Sequence, residues 1–280
     1  MNSIIEYFSN KPLYYYQVTT EECSVDIHIH ETYEIFQALS PNIRYFVEGE
    51  AYDLAEGDII ITSSREIHRP ITIDDKPYSR RFIQFDPAMI HVFPDVNYNP
   101  LHIFENRKLG QNNHIVIPNH IKSVANTYFS TIEASLINNS PRNLYEGWLA
   151  LQSFLVELEL LFEASHSIKE QSQTLDPRLY KVRKHLDNYY TEPFNLDILS
   201  KKYLVDKYHL SRIFKESTGF TLLEYIQSKR IRHAKTLLLG QQTILEISQQ
   251  CGYDDYTNFY KTFKKITKMS PKQYRATLCR

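Results

Sequence analysis

Glycine is scarce in this 280-residue chain, at seven residues, and cysteine (three), methionine (three) and tryptophan (one) are scarcer still. There is no glycine-rich loop to cradle a phosphate, no Gly-x-Ser-x-Gly elbow and no Cys-x-x-Cys pair, which argues against nucleotide-dependent enzymes, serine hydrolases and thiol redox chemistry. Cys23, Cys251 and Cys279 form an odd set without ligand spacing and fit a reducing compartment. No apolar run approaches the roughly eighteen residues a membrane helix needs. Met1-Asn-Ser-Ile-Ile-Glu lacks the basic start of a secretory signal. The expected location is the cytoplasm, with no membrane partner.

Aromatic residues are plentiful instead, with 21 Tyr and 15 Phe, enough to furnish two cores. The near-neutral total hides a division. Residues 176–280 carry 20 Lys+Arg against 10 Asp+Glu, net +10, whereas residues 1–175 carry 12 against 23, net −11. One half is attracted to phosphate and the other repelled by it.

The basic half contains one helical pattern twice. Its kernels are Asp206-Lys-Tyr-His-Leu-Ser-Arg-Ile-Phe-Lys215 and Asp255-Tyr-Thr-Asn-Phe-Tyr-Lys-Thr-Phe-Lys264. Each reads as a helix-turn-helix. In the first, Leu196, Ile198 and Leu199 support, Tyr203–Asp206 turn, and Leu210, Ile213 and Phe214 form a buried stripe. Gly219 ends the helix where a left-handed residue is wanted. In the second, Ile244 and Ile247 support, Gly252 turns, and Phe259, Thr262 and Phe263 face inward. The outward sets, Tyr208, Ser211, Arg212 and Lys215, then Thr257, Asn258, Lys261 and Lys264, are residue types that bond base edges or phosphates. A helix over Thr221–Leu239, closed by Gly240, would span about 28 Å. The two reading helices are then expected in successive major grooves of double-stranded promoter DNA, about 34 Å apart.

The stretch from Leu196 through Tyr274 resembles the AraC/XylS family of transcription regulators, notably in Leu210-Ser-Arg-Ile-Phe-Lys, Glu224-Tyr225, Arg230-Ile-Arg-His-Ala-Lys-Thr-Leu-Leu, Glu246-Ile247, Gly252-Tyr253, Ser270-Pro271 and Tyr274-Arg275. Ser200 and Ser248 stand where the family usually has alanine, and Lys268 where it usually has glycine. The serines are expected to bond back to an i−4 carbonyl, and Lys268 to alter the last turn.

In the acidic half, short β-rich runs (Tyr14–Val18, Val25–Ile29, Glu34–Leu39, Ile43–Val47, Asp58–Thr62, Arg81–Phe85) alternate with polar turns, Glu48-Gly49-Glu50 reading as a hairpin. This predicts a small barrel or sandwich able to hold a small ligand. Two helices follow, roughly Asn119–Ile137 and Arg142–Ala164, with Ser140-Pro141 starting the second. Leu144, Trp148, Leu151, Leu155, Leu158 and Phe162 recur along it at coiled-coil spacing and are assigned to a homodimer seam, although the same stripe could pack on its own barrel. Ser165–Thr174 reads as a linker.

His28, His30, Glu34 and His68 are expected to share one cavity, the alternation of a strand putting His28 and His30 on one face. Such a set suits iron, manganese or zinc. The spacing between Asp26 and Pro70 resembles the two cupin motifs, with Ser63 and Arg65 in place of proline and glycine. The sensor domains of AraC-like regulators are similar to cupins without needing a metal, so the four residues are assigned to a small-molecule effector such as a sugar, with no metal and no cofactor.

The resulting expectation is an α+β two-domain bacterial protein: a cupin-like effector barrel at 1–115, a dimerising helical hairpin at 116–165, a linker at 166–175, and an all-α double helix-turn-helix domain at 176–280. Its function is sequence-specific transcription regulation. The resemblance implies an activator that recruits RNA polymerase, often to genes of carbohydrate use. The alternative is a cupin-type metalloenzyme fused to a nucleic-acid-binding module.

Overall fold

The computed structural model describes residues 3–8, 13–20, 25–74, 76–90, 98–168 and 177–278. Cys23, Cys279 and linker positions 169–174 lie outside them. Residue contacts divide the chain into two compact units, one containing His30–Val47 and Tyr52–Ser172, the other containing Gln173–Arg280.

The first unit is built from β1 (Ser3–Phe8), β2 (Leu13–Thr20), β3 (Tyr33–Ala38), β4 (Ile43–Val47), β5 (Glu50–Leu54), β6 (Ile59–Thr62), β7 (His68–Thr72), β8 (Tyr78–Phe85), α1 (His102–Glu105), β9 (His114–Ile115), α2 (Lys122–Asn138) and α3 (Pro141–Ile168). One sheet has the order β1-β2-β8-β3-β6-β9 and the other β5-β4-β7. Every recorded pairing is antiparallel, and the register aligns Tyr14 with Gln84 and Glu34, and Tyr16 with Phe82 and Phe36. Alternation therefore sorts the large sheet into two faces. Phe36, Ala38 and Ile60 join Ile43, Tyr45, Val47 and Leu54 of the small sheet in one core, while Tyr15, Ile35, Ile59, Ile61, Ile83 and Phe85 pack beneath α2 and α3 in another.

Four strands were not legible in the sequence, and one expected strand is missing. β7 contains Pro70, which argues against a strand interior, but β7 is a sheet edge, where a missing N–H is tolerated. β1, β5 and β9 are edges too. The run Val25–Ile29 is not a strand: its backbone makes a single bridge, at His28, and a bond from Val25 N–H to the Pro70 carbonyl. The Glu48-Gly49 hairpin turn is as expected, both residues having positive φ (51° and 85°).

The expected homodimer seam requires correction. Leu151, Leu155 and Leu158 are fully buried in the core shared with the sheet, Leu144 and Phe162 pack against it, and the Trp148 indole N–H donates to the Met89 carbonyl at 2.9 Å. An apolar stripe of this kind is satisfied by the sheet of its own unit, so the hairpin is part of the sensor fold. α2 and α3 approach closely at Gly147, where a Cβ would stand 2.0 Å from Ser135 Oγ. α3 also runs on to Ile168, so the first residues of the expected linker are helical.

The second unit is helical: α4 (Pro177–Tyr189), α5 (Leu196–Tyr203), α6 (Lys207–Thr218), α7 (Leu222–Leu237), α8 (Ile244–Gln250), α9 (Tyr256–Thr267) and α10 (Pro271–Leu278). Its starts are written locally. Asn195, Asp206 and Asp255 accept backbone N–H bonds as N-caps, and Thr221/Glu224 and Thr243/Glu246 form capping boxes. The connector α7 has 16 residues, about 24 Å, shorter than expected because Leu238 caps it; Gly240 lies beyond and has no positive φ. Among the described residues no helix is long and apolar enough to cross a membrane.

Candidate nucleic-acid interface and sensor cluster

The two halves of the repeat are built alike. Val205 N–H donates to the Ser200 carbonyl and Tyr253 N–H to the Ser248 carbonyl, both at 3.1 Å, so Leu204 (φ 53°) and Gly252 (φ 83°) are equivalent left-handed turn residues. The serines do not bond back to i−4. Ser200 Oγ donates forward to the Val205 carbonyl, and Ser248 Oγ donates back to the i−3 carbonyl of Leu245, each at 2.7 Å.

On α6, Leu210 and Phe214 are buried; on α9, Phe259 and Phe263 are. That fixes the opposite faces outward. Tyr208, Arg212, Lys215, Thr257, Asn258, Lys261 and Lys264 are exposed and Ser211 is half-buried. Ile198, expected to support, is instead 66% exposed. Superposing the kernels residue by residue reveals two members missed from the sequence: His209 is the counterpart of Asn258, and Tyr260 the counterpart of Ser211, and both are exposed. Arg212 holds no deep partner, its guanidinium standing 3.2 Å from His209 Nδ1 and 3.7 Å from Glu216, contacts that are easily exchanged for phosphate or base.

Other motif residues hold the unit together. Arg230 donates to the carbonyls of Tyr190 (2.6 Å) and Glu192 (2.8 Å) and stacks over Tyr253, while Arg275 donates to the Leu238 and Gln242 carbonyls. The Tyr225 phenol donates to Asp187 at 2.7 Å.

In the sensor unit the structure brings His30, Glu34 and His68 together, their donor atoms within 4.8 Å of one another, whereas His28 is grouped with the second unit. The route differs from the expected one: His30 lies on a loop, and only Glu34 and His68 are on strands. Glu34 accepts from the Tyr45 hydroxyl (2.9 Å) and the Gln84 amide (2.8 Å), and its Oε2 is 3.2 Å from His30 Nε2. Burial pulls the His68 pKa down, against the raising effect of Glu34, and keeps the ring neutral. Burial, reinforced by the Glu34 charge, pushes the Tyr45 phenol well up, so it remains a donor. Behind His68, Glu66 is buried yet ionised: burial alone would raise its carboxyl, but Arg107, with Gly110 and Ser63 N–H groups, outweighs it and holds it low. On the same sheet face as Glu34 and Gln84, partly buried Tyr14, Tyr16 and Phe82 stack, with Tyr16 and Phe82 centroids 5.0 Å apart.

Known proteins share both parts. Residues 11–102 match the AraC-like ligand binding domain, and residues 199–277 match a helix-turn-helix domain. The chain has the AraC-family architecture. An uncharacterized HTH-type transcriptional regulator of Staphylococcus aureus (strain MRSA252) is 26% identical over 83% of this chain and 31% of its own length, so the chain spans about a third of that relative. The HTH-type transcriptional activator RhaR of Mannheimia succiniciproducens is 22% identical over 89% of this chain and 87% of its own. The structure of ToxT from Vibrio cholerae covers 96% of this chain and 100% of its own at 16% identity, with a TM-score of 0.41. The two matched domains, a ligand-binding domain and a helix-turn-helix domain, point to transcription regulation rather than to the metalloenzyme alternative.

Proposed function

We propose that this AraC-family regulator is a cytoplasmic, effector-responsive activator that binds promoter DNA as a homodimer and recruits RNA polymerase to genes of carbohydrate use or a related pathway. The observation that carries the reading is the pair of matched outward faces. Tyr208, His209, Ser211, Arg212 and Lys215 on α6 and Thr257, Asn258, Tyr260, Lys261 and Lys264 on α9 are held by capped helices with apolar backs. Arginine suits guanine, asparagine suits adenine, and the lysines supply phosphate contacts.

The effector is assigned to the sensor face on which Tyr14, Tyr16 and Phe82 flank Glu34 and Gln84. Flat aromatic rings beside a carboxylate and an amide suit the apolar face and hydroxyl edge of a sugar. RhaR, a relative over most of both chains, is itself named an activator. With the inner stripe of α3 buried, the homodimer is assigned to the outer side of that helix. There Tyr145, Leu149, Val156 and Leu160 are 61%, 46%, 45% and 58% exposed at spacings of a coiled-coil surface.

Genome-wide mapping of bound DNA, paired with transcription from the bound promoters with and without candidate sugars, tests the reading. Sharp sites beside carbohydrate genes, with transcription rising on sugar addition, are expected. Salt-insensitive, sequence-indifferent binding would overturn it.

A further inference from the structure

We propose that the effector carries a carboxylate and that Arg80 receives it at one end of the sensor face, so that the ligand is a sugar acid rather than a neutral sugar. The inference rests on the reading of this unit as the sensor of a sugar-like molecule and specifies that molecule's charge. Arg80 lies on β8 and is buried, at 9% exposure. Its guanidinium sits over the Tyr78 ring, 5.4 Å from the centroid, and its Nε has no hydrogen-bond partner. Among the described residues no carboxylate forms an ion pair with it. A ring face balances part of the charge but offers no lone pair to the N–H donors. Arginine is rarely buried without a partner, because a desolvated and unpaired charge is costly. A cation that the fold buries and leaves without an anion is accounted for by an anion that the fold receives.

The register places this cation on the sensor face. Arg80 pairs with Val18 of β2 and with Ala38 of β3, and Ala38 belongs to the core shared by the two sheets. Residues two apart on a strand share a face, so Arg80, Phe82 and Gln84 lie on one side, together with Glu34, Phe36 and Ala38. Tyr45 reports the guanidinium from the other sheet. Burial and the Glu34 charge push its phenol up while the Arg80 charge acts in the opposite sense, which puts Arg80 within electrostatic reach of that buried ring. Glu34 is on the same face but pairs in register with Gln84, four residues and about 13 Å along β8 from Arg80.

The face thus has two polar ends and an aromatic middle. Tyr16 and Phe82, partly buried and stacked, occupy the register position between Arg80 and Gln84. At one end Glu34 and Gln84 supply an acceptor and an amide for hydroxyl groups. At the other the guanidinium supplies paired N–H groups, whose fork matches a carboxylate with two parallel bonds. A neutral sugar would satisfy the first end and leave Arg80 buried and unpaired, whereas a sugar acid satisfies both. Arg80 is therefore the residue that decides between them.

The test uses the full-length protein, titrated by calorimetry with D-galacturonate, D-gluconate and lactobionate and with their neutral counterparts D-galactose, D-glucitol and lactose. At least one acid is expected to bind saturably, with its neutral counterpart about ten- to hundredfold weaker, the worth of a charge-assisted hydrogen bond. Arg80→Gln should remove that difference. Arg80→Lys should keep the preference for the acid at reduced affinity, since the charge stays and the fork is lost. Arg80→Met supplies a readout that needs no ligand: with an apolar chain in place of the unpaired charge, its urea midpoint should exceed the parent's, and the acid that stabilises the parent should not stabilise it. Circular dichroism checks that each variant is folded. A lowered midpoint in Arg80→Met would mean that the guanidinium supports the fold, and it overturns the proposal, as does acid affinity unchanged in Arg80→Gln. Neutral sugars bound as tightly as their acids overturn the carboxylate alone and leave the sugar sensor standing, whereas binding of no member of either set overturns both.

Discussion

Gly219 and Lys268 stand at the same place in the two halves of the repeat, each ending an outward-facing helix in the left-handed conformation, at φ 74° and 61°. Only one of them is glycine. A Cβ in this region costs about 1 to 2 kcal/mol, and the extra unfolded-state freedom of glycine returns about 0.4 to 1 kcal/mol of that. Lys268 is exposed, so its removal sacrifices no packing. Lys268→Gly is therefore expected to stabilise the second unit by about 0.5 to 1 kcal/mol, read as a shift in urea midpoint with unchanged slope. A variant no more stable than the parent would show that the surrounding turn already relieves the strain.

The outer face of α3 gives a prediction opposite in kind to that of its inner face. Leu149→Lys with Leu160→Lys alters side chains that are 46% and 58% exposed, and is expected to convert a dimer to a folded monomer in sedimentation with little change in melting temperature. Leu151→Lys places a charge at a fully buried position and should unfold the unit, since loss of a buried leucine alone costs about 2 to 5 kcal/mol. A dimer that survives the outer pair of changes would move the interface off α3.

Much of the second unit was legible because its signals are local. Asp206 and Asp255 cap, Thr221/Glu224 and Thr243/Glu246 form capping boxes, and the buried stripes have helical period. Gly252 was legible for a reason that lies partly off its own helix: besides its positive φ, a Cβ there would stand 2.2 Å from the Thr191 carbonyl oxygen. Leu204, in the equivalent turn, was not legible, since nothing marks an 89% exposed leucine as left-handed. In the first unit the errors share a cause. Periodicity says which face of α3 is apolar but not what covers it, and Pro70 reads as a breaker until β7 is known to be an edge. The histidines came together although the strand invoked to align them does not form, because the small sheet and a loop deliver them from separate directions.

The DNA-facing residues divide by the effect expected of each. Arg212→Ala should cost about 1 to 3 kcal/mol against the best site and relax preference at one base position if its guanidinium reads guanine. Lys264→Ala should instead weaken all sequences alike and reduce the salt slope by about one ion. His209→Ala tests the residue revealed by its equivalence to Asn258. Titrations over a range of salt on specific and scrambled duplexes distinguish these patterns, and an Arg212 variant with unaltered sequence preference would leave it no role in base reading.

Asp58 gives the first unit an acid limit. Its carboxylate is 3% exposed, accepts from His114 Nε2 at 2.8 Å, and also accepts from the backbone N–H groups of Ala55 and Ile117 at 3.0 and 3.3 Å. Burial by itself would raise its pKa, but His114 and the two N–H groups outweigh burial and hold it below the usual carboxylate value. A lowered folded-state pKa means that the unfolded chain binds the proton more readily. The resulting stabilisation is fully present above the unfolded value of about 4 and is lost as the pH falls through the folded one. Asp58→Asn keeps the shape and one acceptor, so it should be less stable than the parent by about 2 kcal/mol at pH 6, with the gap narrowing below about pH 4. Urea unfolding of both proteins at pH 6 and pH 3 measures this, and a gap that stays constant or widens in acid would mean that the carboxylate's charge contributes nothing to the fold.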